Sequence, residues 1–157
     1  MKTYVITLSK IFSVKHPKTG VPTNFRPLYE KGAKIHTIRA NYDLWERRFE
    51  YITSGDAKLS LRQWSEKPYN SKQELVKDLY CNDGIGLQKL IFVNGDISKP
   101  RIVLPPNLFQ PEEELLPVRL DQLALNDGLT LKDWLDWFKE YDLTKPMAII
   151  HFTKNRY

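Results

Sequence analysis

Two residues three positions apart, Lys34 and Thr37, are the first candidates for chemistry in this chain, with His36 and Arg39 beside them. A threonine hydroxyl is a weak nucleophile until a base takes its proton. A lysine can be that base only if burial or neighbouring cations lower its pKa. Arg39 and His36 can supply such a positive neighbourhood, and Arg39 can equally hold a phosphate. The spacing permits a site without requiring one. In an extended chain the two side chains project to opposite sides. With Lys34 in the turn before a strand, both reach one cleft. The same residues also read as ordinary surface and strand-end groups, since lysine is mostly exposed and threonine often satisfies a local amide.

A second candidate is Trp64, with Arg62 on the same strand face. An aromatic ring beside a guanidinium can stack an unpaired base, and Tyr69 in the following loop can join it. Other signatures are absent. His16, His36 and His151 are far apart and show no metal-ligand spacing, so no metal and no cofactor is expected. Gly84-Ile85-Gly86 lacks the third glycine of a dinucleotide site, and there is neither a Walker motif nor a Gly-x-Ser-x-Gly elbow.

The elements that must position these groups follow from periodicity. Thr3 to Ser9 reads as a strand and 16–22 as a Pro/Gly loop. Phe25 to Glu30 reads as one or two helical turns ended by Gly32, and Ile35 to Ile38 as a short strand. Leu44, Trp45, Phe49 and Ile52 recur at helical spacing within Tyr42–Ile52. Ala57 to Trp64 alternates, with Leu59, Leu61 and Gln63 on the inner face. Glu74 to Tyr80 reads as another strand, and Gly84 to Lys89 opens a further apolar run to Val93. Asn94-Gly95 predicts a tight hairpin to Arg101–Leu104. The Pro-rich, acidic 105–117 segment is expected as surface loop. Asp121 to Leu125 predicts a short helix. Thr130 to Tyr141 predicts the best helix, capped by Thr130 and Asp133, before an apolar strand at Met147–Thr153. Trp45 and Trp134 are expected in the core, with Trp137 at its flank.

The chain has 157 residues, 41% apolar and 27% charged, which suits one domain with one core. Net charge is +5. It is uneven, about +7 over residues 1–78 and −2 over 79–157, which points to an anionic partner for the first half. No apolar run is long enough to span a membrane. A single cysteine, Cys81, excludes an internal disulfide and makes a reducing cytoplasm the expected setting. Strands separated by short helices, without βαβ alternation, predict an α+β fold with a mainly antiparallel sheet or barrel.

The stretch Phe25-Arg26-Pro27-Leu28-Tyr29-Glu30-Lys31-Gly32-Ala33-Lys34-Ile35-His36-Thr37-Ile38-Arg39 resembles the ASCH domain signature: a short helix, a glycine, then Lys-x-x-Thr-x-Arg leading into a strand. Gly55-Asp56 before an alternating strand, Leu129-Thr130-Leu131, and the closing Ala148-Ile149-Ile150-His151-Phe152 fit the same order. Residues 25–62 match well and 118–153 more loosely, while about 65–115 reads as an insertion within a single 1–157 domain. The resemblance implies a PUA-like small β-barrel, mainly antiparallel and flanked by short helices. Its cleft would be rimmed by the signature and bind RNA or a modified nucleoside. It also implies a possible enzyme. Some small family members are amidohydrolases acting on N(4)-acetylcytidine through a lysine, a threonine and a glutamate. Lys34 and Thr37 match the first two, and the third falls on Asp127, whose side chain is shorter by about 1.5 Å. Family members described as nucleases give a weaker guide, since no metal site is evident. The site expected on this basis is Lys34, Thr37 and Asp127 for chemistry, with Arg39, His36, Arg62 and Trp64 for the ligand. A catalytically silent scaffold that docks a protein through 65–115 is the remaining class.

Overall fold

The computed structural model describes residues 1–157. The fold is α+β, built from two open sheets and four short helices. The first sheet has the order β1 (Lys2–Thr7), β3 (Ala57–Trp64), β4 (Gln73–Leu79). The second has the order β2 (His36–Arg39), β8 (Met147–His151), β5 (Gly86–Phe92), β6 (Pro100–Leu104), β7 (Glu114–Pro117). Every pairing is antiparallel except β1 with β3, where Lys2 lies opposite Ala57 and Thr7 opposite Arg62. That parallel pair needs a crossover, and α1 (Phe25–Glu30), β2 and α2 (Tyr42–Thr53) provide it. No ladder joins the two sheets into a closed barrel.

One apolar cluster of 25 buried residues fills the space between the layers. In β3, Leu59 and Leu61 are fully buried and Gln63 nearly so, while on the other face Lys58, Arg62 and Trp64 are half-buried as alternation predicts, but Ser60, expected among them, is fully buried. β8 is buried at every position because it lies between β2 and β5. Trp45 and Trp134 are in the core and Trp137 is packed at its edge. The span from 65 to 115 is woven into both sheets, with β4 in the first and β5 and β6 in the second. Its β5 is the direct neighbour of β8, and Leu90, Phe92 and Ile102 are core residues.

Three sequence expectations change. The 105–117 segment is not all loop, because Glu114–Pro117 forms the edge strand β7 beside β6. An edge tolerates the proline and the half-exposed Leu115. Asn94 and Gly95 do take left-handed φ, 55° and 69°, but in a longer connection that closes with Val93 N–H to the Lys99 carbonyl at 3.0 Å. The helix expected over 130–141 is α4, Leu131–Phe138, and α2, with 12 residues, is the longest. Thr130 caps α4, its hydroxyl accepting from Asp133 N–H at 3.2 Å. No helix is long and apolar enough to cross a membrane.

Candidate functional site

Lys34 is placed by the turn after α1. The Leu28 carbonyl accepts from both Ala33 and Lys34 N–H, and Gly32 takes φ 74° between them. The Ile35 amide then donates to the Asn126 carbonyl, so the turn leans on the end of α3 (Leu120–Asn126). That helix ends in a Schellman motif: Leu129 N–H reaches the Ala124 carbonyl at 2.9 Å and Gly128 N–H the Leu125 carbonyl at 3.0 Å. Gly128 takes φ +83°, and a Cβ there would stand 3.3 Å from Cβ and Cδ of Lys34. The helix end and the lysine stem therefore pack directly together.

These two turns bring Lys34 and Asp127 face to face. Lys34 Nζ donates to Asp127 Oδ1 at 2.7 Å, to the Asp127 carbonyl at 2.6 Å and to the His36 carbonyl at 3.0 Å. Lys34 is 2% exposed and Asp127 4%. The three acceptors match in number the three protons of an ammonium. The ammonium also lies 4.3 Å from the centre of the Phe25 ring. Burial pulls the lysine below its ordinary range; Asp127 acts against this and the nearby Arg39 cation adds to it. Burial likewise pushes the Asp127 carboxyl up, against the pull of Lys34. Burial thus disfavours the charge on each partner, while the 2.7 Å contact lets each charge support the other.

The pair forms part of the floor of a cleft of about 380 Å³. Thr37 and Arg39, alternate residues of β2, line the same cleft. The Thr37 hydroxyl takes no part in the hydrogen bonds around Lys34. Arg39 Nη2 donates to the Thr7 carbonyl at 2.6 Å, and its buried Nε has no partner. Burial lowers Arg39 from its usual range, opposed by Tyr141, Asp127 and Tyr69. Phe25, Trp137 and Tyr141 give the cleft aromatic walls, Thr7 to Ser9 with Ser13, Lys15 and His16 line it further, and Asp136 and Glu140 add two carboxylates. The 8–24 connection is folded over α4. His16 contacts the Asp133 carbonyl at 3.0 Å through Nε2 and accepts from Lys18 N–H through Nδ1, while its ring lies 4.3 Å from that of Phe12. Sequence reasoning missed these wall residues. The one usable signal was Trp137 and Tyr141 at i, i+4 beside the apolar stripe of α4.

Three expected ligand residues lie elsewhere. His36 is directed to a second polar cluster, where Nε2 meets the Tyr157 hydroxyl at 2.7 Å. In the same cluster His151 Nε2 meets Gln88 Oε1 at 2.9 Å, and Asn126 donates to the Tyr157 hydroxyl at 2.8 Å. Burial holds His36 well below the ordinary imidazole range, pulls His151 down to about 3 and pushes Tyr157 up to about 12. Arg62 and Trp64 stand on the outer face of the first sheet and do not line the cleft. No group of three or more histidine, cysteine or carboxylate side chains is arranged to hold a metal. Comparison with protein-family models, with curated proteins and with solved structures gave no match for this chain.

Proposed function

We propose that the chain is an ASCH-type domain of the PUA-like superfamily, its two sheets corresponding to that fold's barrel, and that its cleft receives a nucleobase, as RNA or as a modified nucleoside. The observation that carries this reading is the convergence of Lys34, Thr37, Arg39 and Asp127 on one cleft walled by Phe25, Trp137 and Tyr141. The volume suits a small ligand. Aromatic walls give a base its stacking surface, and the few polar groups at the floor give it orientation.

A second reading, hydrolysis of an acyl group from a modified cytidine, is favoured by the particular trio on the floor. Asp127, although shorter than glutamate, reaches Lys34 at 2.7 Å. With the proton held on Asp127, neutral Lys34 turns to take the proton of the Thr37 hydroxyl. The threonine oxygen bonds to the acyl carbon, the carbon–nitrogen bond breaks, and the amine leaves with the proton from Lys34. Water then hydrolyses the acyl-threonine to free acid and regenerated hydroxyl.

Titration calorimetry with cytidine and N(4)-acetylcytidine, combined with an assay of cytidine release, tests both readings. Binding of either nucleoside is expected in the wild-type chain. Thr37→Ala is expected to retain binding and, on the second reading, to lose turnover. Absence of binding to both nucleosides at millimolar concentration overturns the nucleobase reading. Turnover that survives Thr37→Ala overturns the acyl-threonine step.

A further inference from the structure

Four residues other than glycine adopt positive φ: Asn24, Asn41, Asn94 and Tyr69. Asparagine enters this region readily, whereas an aromatic residue there is an outlier. Tyr69 has φ 65° and is 88% exposed, so no burial explains the conformation. The β3–β4 loop holds it. Ser65 N–H donates to the Lys72 carbonyl at 2.8 Å, Glu66 N–H to Ser71 Oγ at 3.1 Å, and Ser71 Oγ to the Lys67 carbonyl at 2.8 Å. Lys10 Nζ ties the loop to the end of β1 through the Ser65 carbonyl at 2.7 Å. The result sets the Tyr69 ring beside Trp64, centroids 5.3 Å apart and planes inclined by 49°. Backbone strain retained on an exposed residue marks a place where conformation serves a contact.

The pair adjoins the cleft. Thr7 is opposite Arg62 in the β1–β3 ladder, Leu8 N–H donates to the Arg62 carbonyl at 2.7 Å, and Thr7, Leu8 and Ser9 are cleft wall. Arg39, bonded to the Thr7 carbonyl, lines the cleft with its buried Nε unpartnered. Tyr69 is among the groups near enough to weigh on its charge, after burial, Tyr141 and Asp127. Lys10, Arg62, Lys67 and Lys72 around the pair form no ion pair within the chain, and Glu66 is the one loop carboxylate against them. Apolar rings within an excess of unpaired cations fit a polyanion that carries flat bases, which is single-stranded RNA.

We infer that Trp64 and Tyr69 form a second base subsite, so that the ligand is a single strand of at least two nucleotides, one base in the cleft and its neighbour on the aromatic pair, with Arg39 facing the phosphate between them. This rests on the nucleobase reading of the cleft and extends it from a nucleoside to a strand.

The test measures affinity by calorimetry for cytidine, the dinucleotide CpC and the pentaribonucleotide C5. It uses the wild-type chain, Trp64→Ala and Tyr69→Asn; the asparagine removes the ring and tolerates the positive φ. Each variant is expected to bind CpC and C5 about 10- to 100-fold more weakly, the worth of one stacked base, and to bind cytidine unchanged. Cytidine binding with CpC and C5 unaffected by either variant overturns the second subsite and leaves the cleft reading intact. Variant-sensitive binding of C5 without any binding of cytidine retains the aromatic platform, but overturns both the cleft reading and the two-site strand. Equal losses for cytidine and C5 overturn the division into two subsites, and no binding of any probe overturns both readings.

Discussion

Two buried polar clusters flank β2, and they are built on opposite plans. On one side, Lys34 and Asp127 form a charged pair beneath a cleft, with a free threonine hydroxyl and an arginine that keeps one nitrogen unpartnered. On the other, His36, His151, Tyr157, Gln88 and Asn126 join in a neutral network, in which His36 Nδ1 and His151 Nδ1 are buried without a partner. The first cluster holds groups that can change partner when a ligand arrives. The second is spent on joining β2, β5 and β8 to the 152–157 segment. Buried polar groups and unpartnered nitrogens occur in both clusters; what sets the first apart is that its groups line an open cleft.

The largest effect that separates the two comes from breaking the ion pair. Lys34→Ala or Asp127→Ala leaves one buried charge without its partner, with an expected loss of about 3–5 kcal/mol in urea unfolding. The double change Lys34→Met with Asp127→Leu is expected to recover most of that loss. A double variant as unstable as the singles would show that the pair is needed for its shape and not for charge balance. For the same reason, Thr37→Ala is the cleaner probe of chemistry at the cleft.

The histidine network predicts a different signature. An unfolded imidazole binds its proton near pH 6.5, while burial holds folded His36 well below that and His151 at about 3. In this window the unfolded state carries more protons. Stability is therefore complete above pH 6.5 and falls as the pH drops, by about 1.4 kcal/mol per pH unit for each histidine. Urea midpoints between pH 7.5 and 5 measure the slope. His151→Gln is expected to remove about one proton's worth of it, and an unchanged slope would place the dependence elsewhere.

The smallest effect belongs to the loop. Tyr69→Asn is expected to raise stability by up to about 1 kcal/mol through relief of its backbone conformation, even as it weakens oligonucleotide binding. A loss of stability would mean that the ring packs for the fold and not for a ligand.

Local signals made much of this legible. The helical spacing in α2 and α4, the alternation in β3 apart from the buried Ser60, and the Thr130 cap appear as the sequence reads. Lys34, Thr37 and Arg39 meet because Lys34 falls in a turn, one of the two arrangements their spacing allows. What the sequence did not reveal depends on distant partners. His36 is drawn out of the cleft by Tyr157, 121 residues away. The parallel β1–β3 pair depends on how a whole crossover folds. β7 hides among prolines because an edge strand needs only one neighbour.

The glycine that ends α3 has a consequence for motion. Gly128 touches the stem of Lys34, the Ile35 amide hangs on Asn126, and Asp127 is the last cap of the helix. Unwinding the end of α3 therefore dismantles the cleft floor in the same event. In hydrogen exchange, the amides of Ile35, Asp127, Gly128 and Leu129 should open as one unit, with a common free energy.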